Sequence, residues 1–361
     1  MGRKAKSGIM LVLLLVSMLT LVPDIQSVEA SGTIYIRADG SIDPPTAPIQ
    51  RDGDLYTLTG NITSDTDGIV IERNNMTLNG ADYTIQGTGA YPSKGIYLSG
   101  RSNITIRNME IRDFDHGVYL YESLSNIISE NNITDNFYGI HLYGGSYNFI
   151  SRNNITDNES GIYLSYSSYN TLSENVMNIN TLNLGLEGKE LRHFMHSIDV
   201  SNLINGKPIY YLVNQTDLVI NSSTHSQVGC LALVNCANIT VEALTLTNGD
   251  GITMTYTIDS TITRNDIKNT CWGIYLDSFS NSNIIEANSI TNNIYGICLS
   301  RSSSDNSIAG NNVTSNTLGI YLTGESNNNI LSENSITNSE DIGITLFYSS
   351  NITLRNKPRD L

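Results

Sequence analysis

A glycine followed by an apolar, a variable and an apolar residue recurs along this chain with a nearly constant step. It reads Gly95-Ile-Tyr-Leu, Gly117-Val-Tyr-Leu, Gly139-Ile-His-Leu and Gly161-Ile-Tyr-Leu, each 22 residues after the last. It resumes at Gly229 and Gly251, then at Gly273, Gly296, Gly319 and Gly343, in steps of 22 to 24 residues. Gly68-Ile-Val-Ile is an earlier, less regular member. An asparagine register runs in phase with it: Asn108, Asn131, Asn153, Asn175, Asn265, Asn288, Asn311, Asn334 and Asn356, with Ala243 the break. Five residues upstream stands a second asparagine, from Asn103, Asn126, Asn148 and Asn170 to Asn238, Asn283, Asn306, Asn329 and Asn351.

Such a pattern admits few folds. Triplets such as Ile96-Tyr97-Leu98 alternate between the two faces of a strand. No 3.6-residue apolar period is sustained, and Asn, Gly and Thr are poor helix formers. A 22-residue coil holds three short strands and three bends, and each strand pairs with its equivalent in the next coil about 4.8 Å along the axis. Like residues then stack, and buried amides can form a continuous ladder. The expected fold is all-β: a single-stranded right-handed parallel β-helix, a solenoid of about 22-residue coils. Its boundaries are read as residues 31–67 for an N-terminal β segment capping the stack and 68–361 for the helix. One irregular insert, 181–228, interrupts the rhythm. The gap from Gly161 to Gly229 leaves about 46 extra residues, an excursion or two degenerate coils. The last repeat ends at Asn356 with no evident cap, an end that a protein partner or further domain would cover.

Residues 1–30 read as a signal peptide. Arg3, Lys4 and Lys6 precede the apolar run from Ile9, and Val28-Glu29-Ala30 is a small-residue cleavage pattern. The run is short for a membrane span, although an uncleaved anchor is the alternative. The mature chain is expected to be secreted, periplasmic or on the cell surface. Without the leader, 17 Lys and Arg face 33 Asp and Glu. So acidic a chain, with no basic cluster, excludes nucleic acid as a partner. Cys230, Cys236, Cys271 and Cys298 have no metal-type spacing. They read as buried thiols, with a Cys230–Cys236 bridge as the alternative.

Three sets of residues carry candidate chemistry. His193, Met195 and His196 in the insert offer imidazole and thioether ligands suited to copper; an ordinary turn is the plain alternative. The third position of the glycine motif faces outward and presents Tyr97, Tyr119, His141 and Tyr163 in successive coils, with Tyr121 and Tyr143 beside them. This strip of about 15 Å suits a carbohydrate face, or merely stabilises the sheet. Asp113, Asp135 and Asp157 precede the repeat glycine by four residues and should stack about 5 Å apart. That spacing is open to glycosidase-like catalysis or to calcium, the weaker metal reading, and bend-borne acidic residues are the plain alternative. Of the Asn-x-Ser/Thr sequons, those at Asn103, Asn238 and Asn351 are expected to be poor glycan acceptors, because they fall in a stacked register.

The glycine coils with Ser129-Glu-Asn-Asn-Ile and its repeats resemble the parallel β-helix repeats of carbohydrate-binding proteins and sugar hydrolases. Asn205-Gly-Lys-Pro-Ile-Tyr-Tyr-Leu-Val-Asn214, with Asp39-Gly-Ser41 and Gln50-Arg-Asp-Gly53, is similar to archaeal members of the NosD family. That family is described as periplasmic and copper-binding, and its namesake assists maturation of the copper centre of nitrous oxide reductase. The resemblance implies an extracytoplasmic, non-catalytic protein that binds copper or a surface glycan. A polysaccharide-binding or polysaccharide-degrading protein and a structural surface protein are the other readings. No copper-ligand motif carries over residue by residue.

Overall fold

Each coil contributes a strand to each of three parallel sheets, and the whole is a right-handed parallel β-helix of about 14 turns. The computed structural model describes residues 30–355, so the leader and Asn356 lie outside the described residues. The glycine motif forms the broad sheet. Lys94–Ser99, His116–Tyr121, Tyr138–Tyr143, Ser160–Ser165 and Leu182–Glu187 pair in parallel and in register. Inward Ile96, Val118, Ile140 and Ile162 are fully buried, so alternation along the strand fills the core directly. The glycine is needed for close approach. A Cβ on Gly117 would lie 2.6 Å from the Gly139 carbonyl oxygen and 2.9 Å from Ile133. At the N-terminal end, Ile42–Asp43 and Ile49–Asp52 run antiparallel to the strands they pair with and occupy the edges of two sheets. That arrangement blocks an edge that would otherwise invite pairing with another chain.

The irregular stretch resolves into two coils. Leu182–Glu187 continues the broad sheet, with Asn183 in the column where glycine is expected. Ser197–Ile198 and Leu203–Ile204 then extend the other two sheets of the same stack. A hairpin joins Leu203–Ile204 to Lys207–Val213, and the chain starts a second stack from that strand. The apolar core is accordingly divided in two. Ile209, Tyr211, Cys230, Ala232 and Val234 pack into the first core, whereas Leu231, Leu233 and Ile252 belong to the second. The outer face of the second stack therefore covers the end of the first. Asp250 completes the joint: its carboxylate accepts from the Asn183 N–H (2.9 Å), the Asn183 side chain (2.9 Å) and the Leu184 N–H (2.8 Å). Those are edge donors that a further coil would have satisfied. Burial pushes the Asp250 carboxyl up to about 6, against the lowering effect of these hydrogen bonds.

The ladders are real but their membership differs from the sequence reading. Asn131, Asn153 and Asn175 are linked Nδ2 to Oδ1 at 3.0 Å, and Asn202 extends the line at 2.8 Å. Asn265, Asn288, Asn311 and Asn334 form the matching line in the second stack. Asn108 is outside it: Met109 takes the buried position, and Asn108 sits one residue earlier at φ 56°. Asn103, Asn238 and Asn351 are displaced in the same way, onto exposed left-handed positions. They still stack, each Nδ2 donating to a side-chain oxygen of the preceding coil (Asn75, Asp217 and Asn328), but on the surface rather than in a buried ladder. Sequon Asn158 is instead the buried one, within a third ladder, Asn136–Asn158–Asn180.

Each ladder has a polarity, every amide donating to the next. With Met109 ahead of it, Asn131 Oδ1 is buried and accepts nothing. Asn153, by contrast, receives the Asn131 N–H and side chain and donates to Asn175 and to the Ile128 carbonyl. We expect Asn153→Ala to lose about 2–4 kcal/mol of stability in urea unfolding, because it orphans buried groups on both sides. Asn131→Ala should lose roughly half as much. Equal losses would contradict the polarity argument.

Candidate functional site

The outward column is as expected. Tyr97, Tyr119, His141 and Tyr163 face one another across successive strands, with Gly185 next. Tyr97 and Tyr119 stack at 5.6 Å, Tyr119 and His141 lie 5.0 Å apart, and His141 meets Tyr163 edge-on at 5.3 Å. Tyr121 and Tyr143 form a second stacked pair at 5.5 Å. Tyr143 is exposed and the others are half-buried. Burial raises the Tyr119 hydroxyl to about 12, so this ring meets a ligand as a neutral phenol.

Two residues outside the sequence-read strip, His116 and Tyr138, join it. His116 and Tyr138 are paired neighbours in the column three residues before it, and their rings lie 4.9 Å apart. His116 Nε2 is 3.0 Å from His141 Nδ1, and Asp115 Oδ2 is 3.0 Å from His116 Nδ1. That second approach is not a hydrogen bond: Asp115 Oδ2 and His116 Nδ1 are both buried and both without a hydrogen-bond partner. Burial, reinforced by His116, pushes His141 down to about 3. Asp115 and His116 line a cleft of about 750 Å³ shared with Tyr138, Asp135, Asp157 and Glu159.

The insert's ligand set takes a structural form. His193 closes the short 3-10 helix Leu191–Phe194, its Nδ1 accepting from the Lys189 and Glu190 N–H groups. His196 stands at the end of an asparagine ladder. Its Nδ1 accepts the Asn170 N–H at 3.3 Å, and its Nε2 donates to the His193 carbonyl at 3.1 Å. Both of its ring nitrogens are therefore committed, and burial pushes it down to about 4. Met195 packs against the first core. Among the described residues, no group of three or more His, Cys, Asp or Glu is arranged to hold a metal ion. The four cysteines are free and buried. Asp113, Asp135 and Asp157 occupy one turn position, at φ 60°, 57° and 56°. Left-handed backbone favours Asp and Asn, which accounts for the column without chemistry.

A second cleft lies where the two stacks meet, lined in part by Tyr163, Tyr275 and Tyr321 of the outward column. It encloses about 450 Å³ between the outer face of the first stack's last strands and the outer face of the second stack. Trp272 stacks on Tyr275 at 4.5 Å and on Tyr295 at 4.3 Å, with interplanar angles of 16° and 23°. Beside them, Arg301 grips Asp277 through Nε and Nη2, both at 2.6 Å. Ser300 donates to the same carboxylate at 2.8 Å. Asp277 is wholly buried and Arg301 about a third exposed, 34% of its side chain. Burial opposes the guanidinium charge, but the hydrogen bonds and charge of Asp277 more than reverse this and hold Arg301 protonated. From the opposite wall, Tyr163 and Ser165 donate to Glu187 at 3.1 and 3.0 Å. Tyr163 thus ends the aromatic strip and opens the junction cleft.

Solved structures that this chain matches include a DFA-IIIase from Arthrobacter chlorophenolicus A6, at 12% identity over 82% of this chain and 71% of that one, TM-score 0.30. The periplasmic alginate epimerase AlgG matches at 12% identity over 90% and 84%, TM-score 0.35. An alginate lyase from Paenibacillus sp. str. FPU-7 matches at 10% over 79% and 92%, TM-score 0.29. Likeness at this level says nothing of what this chain does. No curated protein matches it. The family described as NosD, periplasmic copper-binding protein, matches residues 31–211 and 192–357. With its glycine coils, asparagine ladders and nearly the whole described length covered by that match, the chain belongs to the NosD family.

Proposed function

We propose that this NosD-family protein binds a saccharide chain along its outward aromatic face, with the junction cleft as the principal subsite. The observation that carries this reading is the Trp272–Tyr275–Tyr295 platform beside the fixed Arg301–Asp277 pair. Flat rings match the C–H faces of sugars, and a rigid guanidinium at the edge supplies directed donors to hydroxyls. The charge balance favours a neutral glycan. Glu187 and Asp277 are two carboxylates against one guanidinium, in a chain of net charge −15. A uronate polymer would be repelled. The reading is one of binding rather than cleavage, because both oxygens of Asp277 are occupied by Arg301 and Ser300. A general acid needs a proton it can deliver to the substrate.

The test is retention in affinity electrophoresis through neutral and acidic glycans, with and without calcium, alongside a reducing-end assay. We expect retention by a neutral glycan without new reducing ends. Trp272→Ala should weaken it about tenfold or more, the loss of one aromatic platform. Tyr119→Ala and Tyr163→Ala should each have a smaller effect. Unchanged retention in Trp272→Ala would remove the junction cleft from the proposal.

A further inference from the structure

We propose that Glu187 and Arg301, on opposite walls of the junction cleft, clasp two adjacent hydroxyls of one pyranose unit, so that the site selects glycans by linkage. This rests on the saccharide reading and names the unit that the cleft takes. The starting observation is that two opposite charges line one cleft and do not pair. Glu187 lies near enough to help keep the Arg301 guanidinium protonated. Yet the ion pair that Arg301 makes among the described residues is with Asp277.

Each side chain is pinned at one end and free at the other. Glu187 accepts the Tyr163 and Ser165 hydroxyls on Oε2, at 3.1 and 3.0 Å. Its Oε1 accepts no hydrogen bond from the described residues and is not sealed from solvent. Arg301 commits Nε and Nη2 to Asp277, both at 2.6 Å. Its Nη1 donates to none of the described residues and is likewise open. Ser165 and Asp277 are buried, so both anchors are fixed. Glu187 ends a strand of the first stack, whereas Arg301 follows the strand Tyr295–Leu299 of the second. The gap between them is therefore held open by the packing of the two stacks.

A charged acceptor facing a charged donor across such a gap calls for a ligand that donates on one side and accepts on the other. Two neighbouring hydroxyls do both, each about 2.8 Å from its partner. Hydrogen bonds to ionised groups are the stronger kind. A zwitterion would satisfy the two charges, but the Trp272–Tyr275–Tyr295 platform beside them also asks for a flat C–H face on the same unit. A pyranose ring has one. Adjacent hydroxyls are then a matter of linkage. An internal unit of a 1,4-linked chain keeps its 2- and 3-hydroxyls free, whereas an internal unit of a 1,3-linked chain keeps no adjacent ring pair. A site built to bond a hydroxyl rejects a ligand that lacks it, because its own polar groups are left unpaired.

The experiment is affinity electrophoresis of the full chain through glucomannan and amylose, both 1,4-linked, and through a linear 1,3-linked glucan of matched length. We expect retention by a 1,4-linked polymer at least tenfold tighter than by the 1,3-linked one. Glu187→Gln is the sharper probe. Its amide oxygen can keep the Tyr163 and Ser165 bonds, so the wall stays in place while the cleft meets an N–H donor instead of an acceptor. With an unchanged melting temperature, Glu187→Gln should lose about tenfold in retention and the discrimination between linkages with it. Equal retention by the two linkages in the wild type overturns the clasp, and this holds even where the variant fails to fold. Unchanged retention in a folded Glu187→Gln overturns it too. If Trp272→Ala weakens retention while Glu187→Gln does not, the clasp falls and the saccharide reading stands. Absence of retention by every neutral glycan overturns both.

Discussion

Replacing Gly251 by alanine is expected to prevent folding or to lower the melting temperature by about 10 °C or more, since each kcal/mol is worth a few degrees in a chain of this size. Two costs add. Gly251 has φ 80°, a conformation that side chains rarely adopt. A Cβ there would also lie 1.7 Å from the Trp272 carbonyl oxygen and 2.8 Å from that of Gly273. Neither contact is with a flexible side-chain end, so the strand itself must shift. The strand cannot shift freely, because the preceding residue, Asp250, holds the edge of the first stack. Gly100 is the control: φ is 62°, but nothing lies within 4 Å of the added carbon. Its alanine variant should lose about 1 kcal/mol, for backbone conformation alone. Matching melts for the two variants would refute the steric argument.

Arg301→Leu should cost about 3–5 kcal/mol, because it strands a buried carboxylate. Asp277 would keep only Ser300 as a side-chain donor. Removing both charges in Asp277→Leu/Arg301→Leu should restore most of the loss, since an apolar pair carries no desolvation penalty. Urea unfolding at pH 7 measures both variants. A double variant no better than the single would show that Asp277 is not stranded.

Much of this architecture was legible because a solenoid writes its contacts into its period. Residues 22 apart touch, so Tyr97, Tyr119, His141 and Tyr163 could be aligned from the sequence, and the strand register agrees. One-residue errors entered where a bend takes left-handed backbone. Asn is favoured there as well as in the ladder, and Asn108 and Asn103 were placed in the ladder columns although they occupy the bends. Asn202 escaped notice because the coil before it carries an expanded turn, which spoils the spacing. The coil at Leu182–Glu187 was hidden by Asn183, which meets the steric demand of the glycine column differently. His116 was visible as a residue preceding a repeat glycine, but its relation to His141, 25 positions away, needs the side-chain geometry.

The sequence by itself determined the coil, its three sheets, the inward isoleucines and the outward aromatic strip, since each follows from neighbours one period apart. Only the tertiary structure decided that there are two stacks rather than one. Nothing periodic encodes a hairpin that ends one stack and starts another, or the buried Asp250 carboxylate that seals the joint. The junction cleft follows from that same break. Its walls come from Tyr163 and Glu187 on one side and Trp272 and Arg301 on the other, residues more than eighty positions apart with no shared period. They meet because the outer face of the second stack covers the exposed apolar end of the first.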